Sequence, residues 1–523
     1  MTENQEKGNN RTTPQLSRRH FLKISAAGMA AAAFKIVGVD LSAQQAAAAL
    51  ARRQSGILGV GWGGSPATLD PLSASADVEI AFLNVVYDYL IDTNASSELV
   101  PRLASSWSVS DDGLTYTLQL QDGVTFHDGS ALMPDDVVWT FERLKSDGPT
   151  ADLYANVVSV AAGDGNSVVF TLEQTNPDFL YNLTDNHAVI LKANADNIGT
   201  DFNGTGPFRL TDFAVDRAVF EANASYWGGT PGVETLEFIY FDSVDGAINA
   251  LQAGAGVDVV LRMDNAVYLS LAGDSFFQAN EVPTSGHDLV RLRADRAPGN
   301  DERVRQAFRL ATDRQAIFDR IQFGFGAVGR DSPIGPVFAQ YYTEETPLPE
   351  RDPAAARQLL TDAGYPDGLD MTLYVPALSD RVALAEVLAA QWADAGINIT
   401  IEPQEEAVYY ADSGWLEVDL GITPWGARPV PQVYLDLYLK SDAVWNEAHW
   451  SDEEIDRLVE TAGTTLDEAE RVNAYHEIQR VMIERGPIII PYFFAQFGVM
   501  AEYVDGVDLH PFAGRTNFNT ATV

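Results

Sequence analysis

The side chains of this chain that could do chemistry are scattered rather than grouped. The histidines are His20, His127, His187, His287, His449, His476 and His510. No two stand at a spacing that would put both imidazoles on one metal ion. There is no cysteine. That excludes a thiol nucleophile, thiolate metal sites, disulfides and a lipid anchor on an N-terminal cysteine. No Gly-Lys dipeptide offers a phosphate-binding loop, and neither H-E-x-x-H nor G-x-S-x-G occurs. Carboxylates are abundant, 74 in all, yet no two stand out as the acid and base of a glycosidase. The expectation is a protein with no catalytic residue, no metal ligand and no cofactor.

The sharpest local pattern is Ser17-Arg18-Arg19-His20-Phe21-Leu22-Lys23. It matches the twin-arginine export signal, S-R-R-x-F-L-K, at every defined position. An Ala-rich apolar stretch follows, Ile24 to Val39, broken only by Lys35. Small residues suited to cleavage lie between Ala43 and Ala49. Residues 1–49 therefore read as a removable signal peptide, with the twin-arginine translocase as partner. No later segment approaches the ~18 uninterrupted apolar residues of a membrane-spanning helix. A soluble, periplasmic protein is expected.

At 523 residues the chain has room for roughly three lobes, and 46% hydrophobic content is ample for a sizeable core. The formal net charge is −40. The signal segment is basic, so its removal leaves the rest more negative still. Such a surface repels nucleic acid and anionic lipid, and no nucleic-acid partner is expected. The acids are spread along the chain, which reads as solubility or adaptation to high salt rather than a functional patch.

The elements that would position any site are mixed α and β. Trp107 to Leu120 reads as a hairpin around Asp111-Asp112-Gly113. Met133 to Leu144 carries a helical stripe of Val137, Val138, Phe141 and Leu144. Ser167–Leu172 and Glu234–Phe241 alternate as strands. From residue 300 helices dominate. Asp301 starts one; Asp352-Pro353 caps another, stopped by Gly364. A helix from Arg381 ends before Gly396, and Ile397 to Ile401 is a strand. Ser451-x-x-Glu454 and Thr465-x-x-Glu468 read as capping boxes. A final strand is expected over Ile488 to Phe494. Neither repeats nor a low-complexity linker are visible.

In order, these segments resemble the family-5 extracytoplasmic solute-binding proteins, the oligopeptide, dipeptide and nickel receptors of ABC importers. Residues 67–92 (A-T-L-D-P-L…V-V-Y-D-Y-L-I-D) look like the family's opening. Residues 99–142, from L-V-P-R-L-A-S-S-W-S-V-S-D-D-G to D-D-V-V-W-T-F-E, are its most specific stretch. Gly204-Thr-Gly-Pro-Phe208, Tyr226-Trp227, the run Val304 to Arg314 and Ala363-Gly-Tyr-Pro-Asp-Gly368 are similar too. The resemblance covers essentially everything after residue 57.

It implies an α/β fold: the two-lobed periplasmic-binding-protein fold with an extra domain, of the type II, oligopeptide-receptor-like form. The implied layout is lobe I from 57–90, 200–288 and 487–523, the extra domain 91–199, and lobe II 289–486. The implied function is a soluble receptor, a monomer, that captures peptides or peptide-like small organic solutes and delivers them to the permease subunits of an ABC importer. A carboxylated non-peptide or a metal chelate is the alternative ligand. A secreted hydrolase is the competing class, and it would need a triad or metal that is not visible.

The resemblance also implies a site, with one departure. Peptide receptors of the family carry a second-lobe segment like G-W-x-x-D-Y, whose Asp pairs with the peptide's α-ammonium. The matching run here is Pro424-Trp425-Gly426-Ala427-Arg428-Pro429. Trp425 is kept and reads as a cleft wall in a loop, with Gly426 and Ala427 beside it. Arg428 stands at the Asp position. A guanidinium there repels an ammonium and favours a carboxylate or phosphate, unless one of the chain's own carboxylates pairs with it. Ser73, Ala74 and Ser75 match where dipeptide receptors touch ligand from lobe I, and Asn446 sits in another segment resembling cleft-lining sequence.

Overall fold

The computed structural model describes residues 56–146, 150–411 and 414–523. The export segment lies outside the described residues. A large sheet of 12 strands dominates. Its ten longer strands are β1 (Ile57–Gly63), β2 (Phe208–Ala214), β3 (Arg217–Ala222), β4 (Thr235–Phe241), β5 (Val259–Leu261), β6 (Phe277–Leu292), β7 (Leu369–Pro376), β8 (Ile397–Gln404), β9 (Leu420–Trp425) and β10 (Tyr492–Ala501). In space they run β8-β7-β9-β6-β10-β5-β1-β4-β3-β2. β1 and β7 sit between parallel neighbours, and their near-continuous or alternating apolar runs are covered by helices.

Two long strands, β6 and β10, carry the chain between the halves of this sheet. Phe277 to Pro283 pairs with Ala501 to Ala495; the register then shifts, and His287 pairs with Phe493. Beyond the shift β6 pairs with β9, from His287–Trp425 to Leu292–Leu420. The final strand differs from the expected Ile488–Phe494. Ile488–Ile489 pairs with β6, and β10 starts only at Tyr492. Pro491 between them has no N–H to give to a ladder.

A second sheet of four strands stands apart, in the order Ala104–Val109, Thr115–Leu120, Ser167–Leu172, Val157–Ala162. Its first hairpin turns at Gly113, at φ +70°, a conformation glycine adopts without steric cost. The helix Pro134–Ser146 buries Val137, Phe141 and Leu144 against it. The Phe141 ring meets Phe170 edge-on at 4.9 Å. One apolar core runs from this sheet into the β1–β4 half of the large sheet. The other half has separate cores. One lies around Trp392 of the helix Ser379–Ala393; another lies under the helices Glu453–Thr464 and Glu468–Arg485.

Helix starts follow the carboxylates more than the hydroxyls. Asp352 accepts from Ala354 N and Ala355 N, as the sequence suggests. The two expected capping boxes are displaced. Asp452, not Ser451, caps Glu453–Thr464, and Asp467, not Thr465, caps Glu468–Arg485. A carboxylate at a helix N-terminus both accepts the free N–H groups and meets the positive end of the helix dipole.

Gly59, Gly61 and Gly64 have the G-x-G-x-x-G spacing of a dinucleotide fingerprint, a match not counted among the motifs above. Gly59 and Gly61 lie inside β1, and the next helix does not begin until Asp77. The strand-to-helix turn that gives this spacing its chemistry is missing. A Cβ at Gly61 would lie 3.0 Å from Ala247 Cβ, so packing of the helix Val244–Ala253 onto β1 accounts for that glycine. Among the described residues no helix is long and apolar enough to cross a membrane.

Candidate ligand-binding cleft

Where β6 and β10 cross, a cleft of about 1070 Å³ opens between the halves of the molecule. Trp425, Gly426, Ala427 and Arg428 line it from one side and Ser75 from the other. Trp425 is not in a loop: it is the last residue of β9, paired with His287. Its indole Nε1 donates to Glu447 Oε1 at 2.9 Å. Its ring packs on Tyr438 at 4.6 Å and Trp445 at 5.7 Å. One face of the residue is therefore core and one edge is cleft wall.

Glu447 is what holds that indole. It is buried, accepts from Thr423 Oγ1 at 2.6 Å and lies 2.9 Å from the Nε of fully buried Arg291. Burial pushes its carboxyl up, and the Arg291 guanidinium pulls the other way. No motif in the sequence marks it. The signal available was an acid inside the aromatic run Trp445 to Trp450. Its neighbour Asn446, which the resemblance puts among cleft-lining residues, lies outside the cleft lining. The Asn446 amide donates to the carbonyls of Lys440, Ser441 and Trp450 at 3.2, 3.3 and 2.8 Å. Those bonds close its own loop and leave nothing for a ligand.

Past Trp425 the chain turns along the cleft. Arg428 is half-buried, and its Nη1 donates to the adjacent Ala427 carbonyl at 3.1 Å. Among the described residues no carboxylate pairs with it. Arg381, also in the cleft lining, is neutralised. Arg381 Nε meets Asp288 Oδ1 at 3.0 Å, Nη1 pairs with Asp380, and the guanidinium lies 5.0 Å from the Phe494 ring centre. Asp288 is fully buried and also accepts from the Tyr492 hydroxyl at 2.6 Å. Burial raises its carboxyl, against the pull of Arg381. The Arg381–Asp288–Tyr492 group escapes sequence reading because its members come from three distant segments.

On the opposite wall Glu79 organises the chain before the helix Asp77–Val86. Its carboxylate accepts backbone N–H bonds from Ala67, Thr68, Ser75 and Ala76 at 2.8–3.1 Å. Burial raises its carboxyl, but these donors together hold it below the usual range. Of the three residues expected here, only Ser75 reaches the cleft lining. Ser73 is exposed elsewhere and Ala74 is fully buried, because both N–H groups turn back to the Asp70 carbonyl at 3.0 Å. Asp77 on this wall is paired with Arg262.

Residues 98–446 match the family model described as bacterial extracellular solute-binding proteins, family 5, middle region. The chain belongs to this family. A twin-arginine translocation signal model matches residues 15–35, so this solute-binding protein is exported by that pathway to the periplasm. Heme-binding protein A of Haemophilus influenzae is 27% identical, over 82% of this chain and 85% of its own length. Di/tripeptide-binding protein 1 of Pseudomonas aeruginosa is 29% identical, over 81% and 86%. Among solved structures, the MppA periplasmic murein tripeptide binding protein in its unliganded open form superposes with a TM-score of 0.79 at 21% identity, covering 90% of this chain and 98% of that one. The fold is thus the two-lobed α/β fold of these receptors, and the relatives are solute-binding transport proteins rather than enzymes.

Proposed function

We propose that the protein captures a peptide or peptide-like solute in the cleft and hands it, chemically unchanged, to the permease of an ABC importer, acting as a monomer. Lobe I is 57–90, 200–288 and 487–523, the extra domain 91–199 and lobe II 289–486. Hinge closure about β6 and β10 encloses the ligand, and the ligand shifts that equilibrium by its preference for the closed form. The observation that carries the reading is the match to the solute-binding family over residues 98–446 around an open cleft. Arg428, a guanidinium on the cleft wall without a carboxylate partner among the described residues, at the position where the family resemblance implies an ammonium-binding Asp, sets the charge of the ligand. It takes an anionic group of the ligand, and a peptide's terminal carboxylate has the right charge and shape for it.

The test is a panel of di- and tripeptides as free acids, N-acetylated forms and C-terminal amides, read by melting-temperature shift and then calorimetry. Free acids and acetylated forms should bind and amides should not, with every ligand recovered intact by mass spectrometry. A charge-assisted hydrogen bond is worth roughly 1.5–3 kcal/mol, so Arg428→Ala should weaken binding about ten- to a hundredfold. If no peptide raises the melting temperature, the peptide reading falls. If amides bind as well as acids, the role of Arg428 falls.

A further inference from the structure

β6 leaves its ladder where the two halves of the large sheet meet. The span from Pro283 to His287 is opposed on β10 only by Ala495 to Phe493. Thr284-Ser285-Gly286, three residues opposed by Phe494 alone, is a bulge at the hinge, and bulges re-aim side chains beside functional sites. Thr284 stays with β10, its hydroxyl donating to the Phe494 carbonyl at 3.0 Å. Ser285 turns to the ligand loop. Its Oγ accepts from Arg428 N–H at 2.7 Å and donates to the Arg428 carbonyl at 2.8 Å. A single hydroxyl thus closes both backbone groups of Arg428, whose guanidinium has no carboxylate partner among the described residues.

Tyr434 holds the same loop from behind. It is fully buried. Its hydroxyl lies 2.8 Å from the Gly426 carbonyl on the loop and 3.0 Å from the Ser285 carbonyl on the bulge. One hydroxyl proton serves one carbonyl at a time. The Ser285 carbonyl has a second donor, His287 Nδ1, at 2.9 Å, so the Tyr434 proton is free for Gly426. Tyr434 thus holds the loop at Gly426, its hydroxyl also lying 3.1 Å from Ser285 Oγ, while Ser285, 2% exposed, ties the loop to the bulge.

We infer that Ser285 and Tyr434 are positioning residues that lock the Arg428 loop to the hinge, so that the ligand-holding loop and the hinge bulge open and move as one body. This rests on the reading that ligand seats at 425–428. A loop tied only to lobe II would let Arg428 shift without the hinge responding. Tied to the bulge, an anion drawn onto Arg428 acts on the segment whose backbone angles change when the lobes close.

The first arm of the test needs no ligand. Amide hydrogen exchange in the wild-type protein should give segments 283–288 and 425–430 matching protection. Ser285→Ala should speed exchange of the Arg428 amide by on the order of tenfold and uncouple the two segments, while Ser285→Thr, which keeps the hydroxyl, restores both. Tyr434→Phe, which keeps the ring, should loosen the Gly426 side. Unchanged protection of the loop in Ser285→Ala and Tyr434→Phe overturns the inference. The second arm uses Ala-Ala-Ala as probe. Ser285→Ala should weaken its binding about tenfold, and in a double-mutant cycle with Arg428→Ala the two losses should not add. Additive losses also overturn the inference. Failure of the wild type to bind the tripeptide counts against the proposed function alone, since the exchange arm stands without it.

Discussion

Replacing His287 should remove a large part of the fold's sensitivity to acid. The imidazole is fully buried. Burial lowers it from 6.5 to about 4, against the hydrogen bond to the Ser285 carbonyl, and the Arg428 charge pushes the same way as burial. Nδ1–H donates to Ser285, so Nε2 is left to accept from the Tyr438 hydroxyl at 3.0 Å. The ring is packed by Tyr434, Phe493 and Tyr438 at 4.9, 5.5 and 6.2 Å. The unfolded chain takes up a proton near pH 6.5 that the folded chain refuses until about 4. The unfolded state thus binds more protons across that window, and stability must fall as pH drops through it. At 1.36 kcal/mol for each tenfold change, most of the effect, roughly 2–3 kcal/mol, is spent between pH 7.5 and 4.5. His287→Asn keeps a donor for Ser285 but cannot take a proton. It should be less stable than wild type at pH 7.5, and the gap should close by roughly 2–3 kcal/mol at pH 4.5. His510, also lowered to about 4 by burial, is present in both proteins and cancels. The assay is urea unfolding of both at a series of pH values. Parallel stability curves between pH 7.5 and 4.5 would refute the reasoning.

Two further outcomes are expected. Lysine at both Arg18 and Arg19 should leave the precursor in the cytoplasm, since the signal match depends on that pair; undiminished periplasmic yield on fractionation contradicts it. Arg471 joins the second sheet's domain to the helix Glu468–Arg485 through a buried pair with Asp178, with Tyr341 and the Ala462 carbonyl completing its bonds. Arg471→Ala strands a buried carboxylate that burial already pushes up, so stability should fall by about 3–5 kcal/mol; a loss under about 1 kcal/mol in urea unfolding would mean the contact is dispensable.

Local punctuation was readable where one residue type decides the geometry. The turn at Gly113 and the Asp352-Pro353 start are such places. Where two neighbours compete, position slips by a residue or two. Asp452 and Asp467 displace the hydroxyls of Ser451 and Thr465, and Glu447 rather than Asn446 reaches Trp425. The difference between those last two depends on which side of a turn faces β9, and a linear pattern does not carry that. Trp425 and Arg428 were reachable through family resemblance. What makes Arg428 informative, the absence of a carboxylate beside it among the described residues, depends on the packing of distant segments. Arg291, Asp288 and Tyr492 look in sequence like ordinary strand residues. Their burial and pairing are products of β6, β9 and β10 meeting.

The place of β10 also dictates the order in which this molecule can be made. It lies between β5 and β6 in the middle of the large sheet, yet it comes from residues 492–501. Until the ribosome has released that stretch, β5 and β6 have no common neighbour, and the apolar groups of Val259 and Leu261 stay partly open to water. The cores over the segment 302–485 also take in Leu289, Val290 and Leu292 of β6 and Ile488, Ile489, Ile490, Tyr492 and Phe493, so they too close only once the end of the chain is free. The first half must wait, and its closing contacts join residues hundreds of positions apart, which makes its assembly slow.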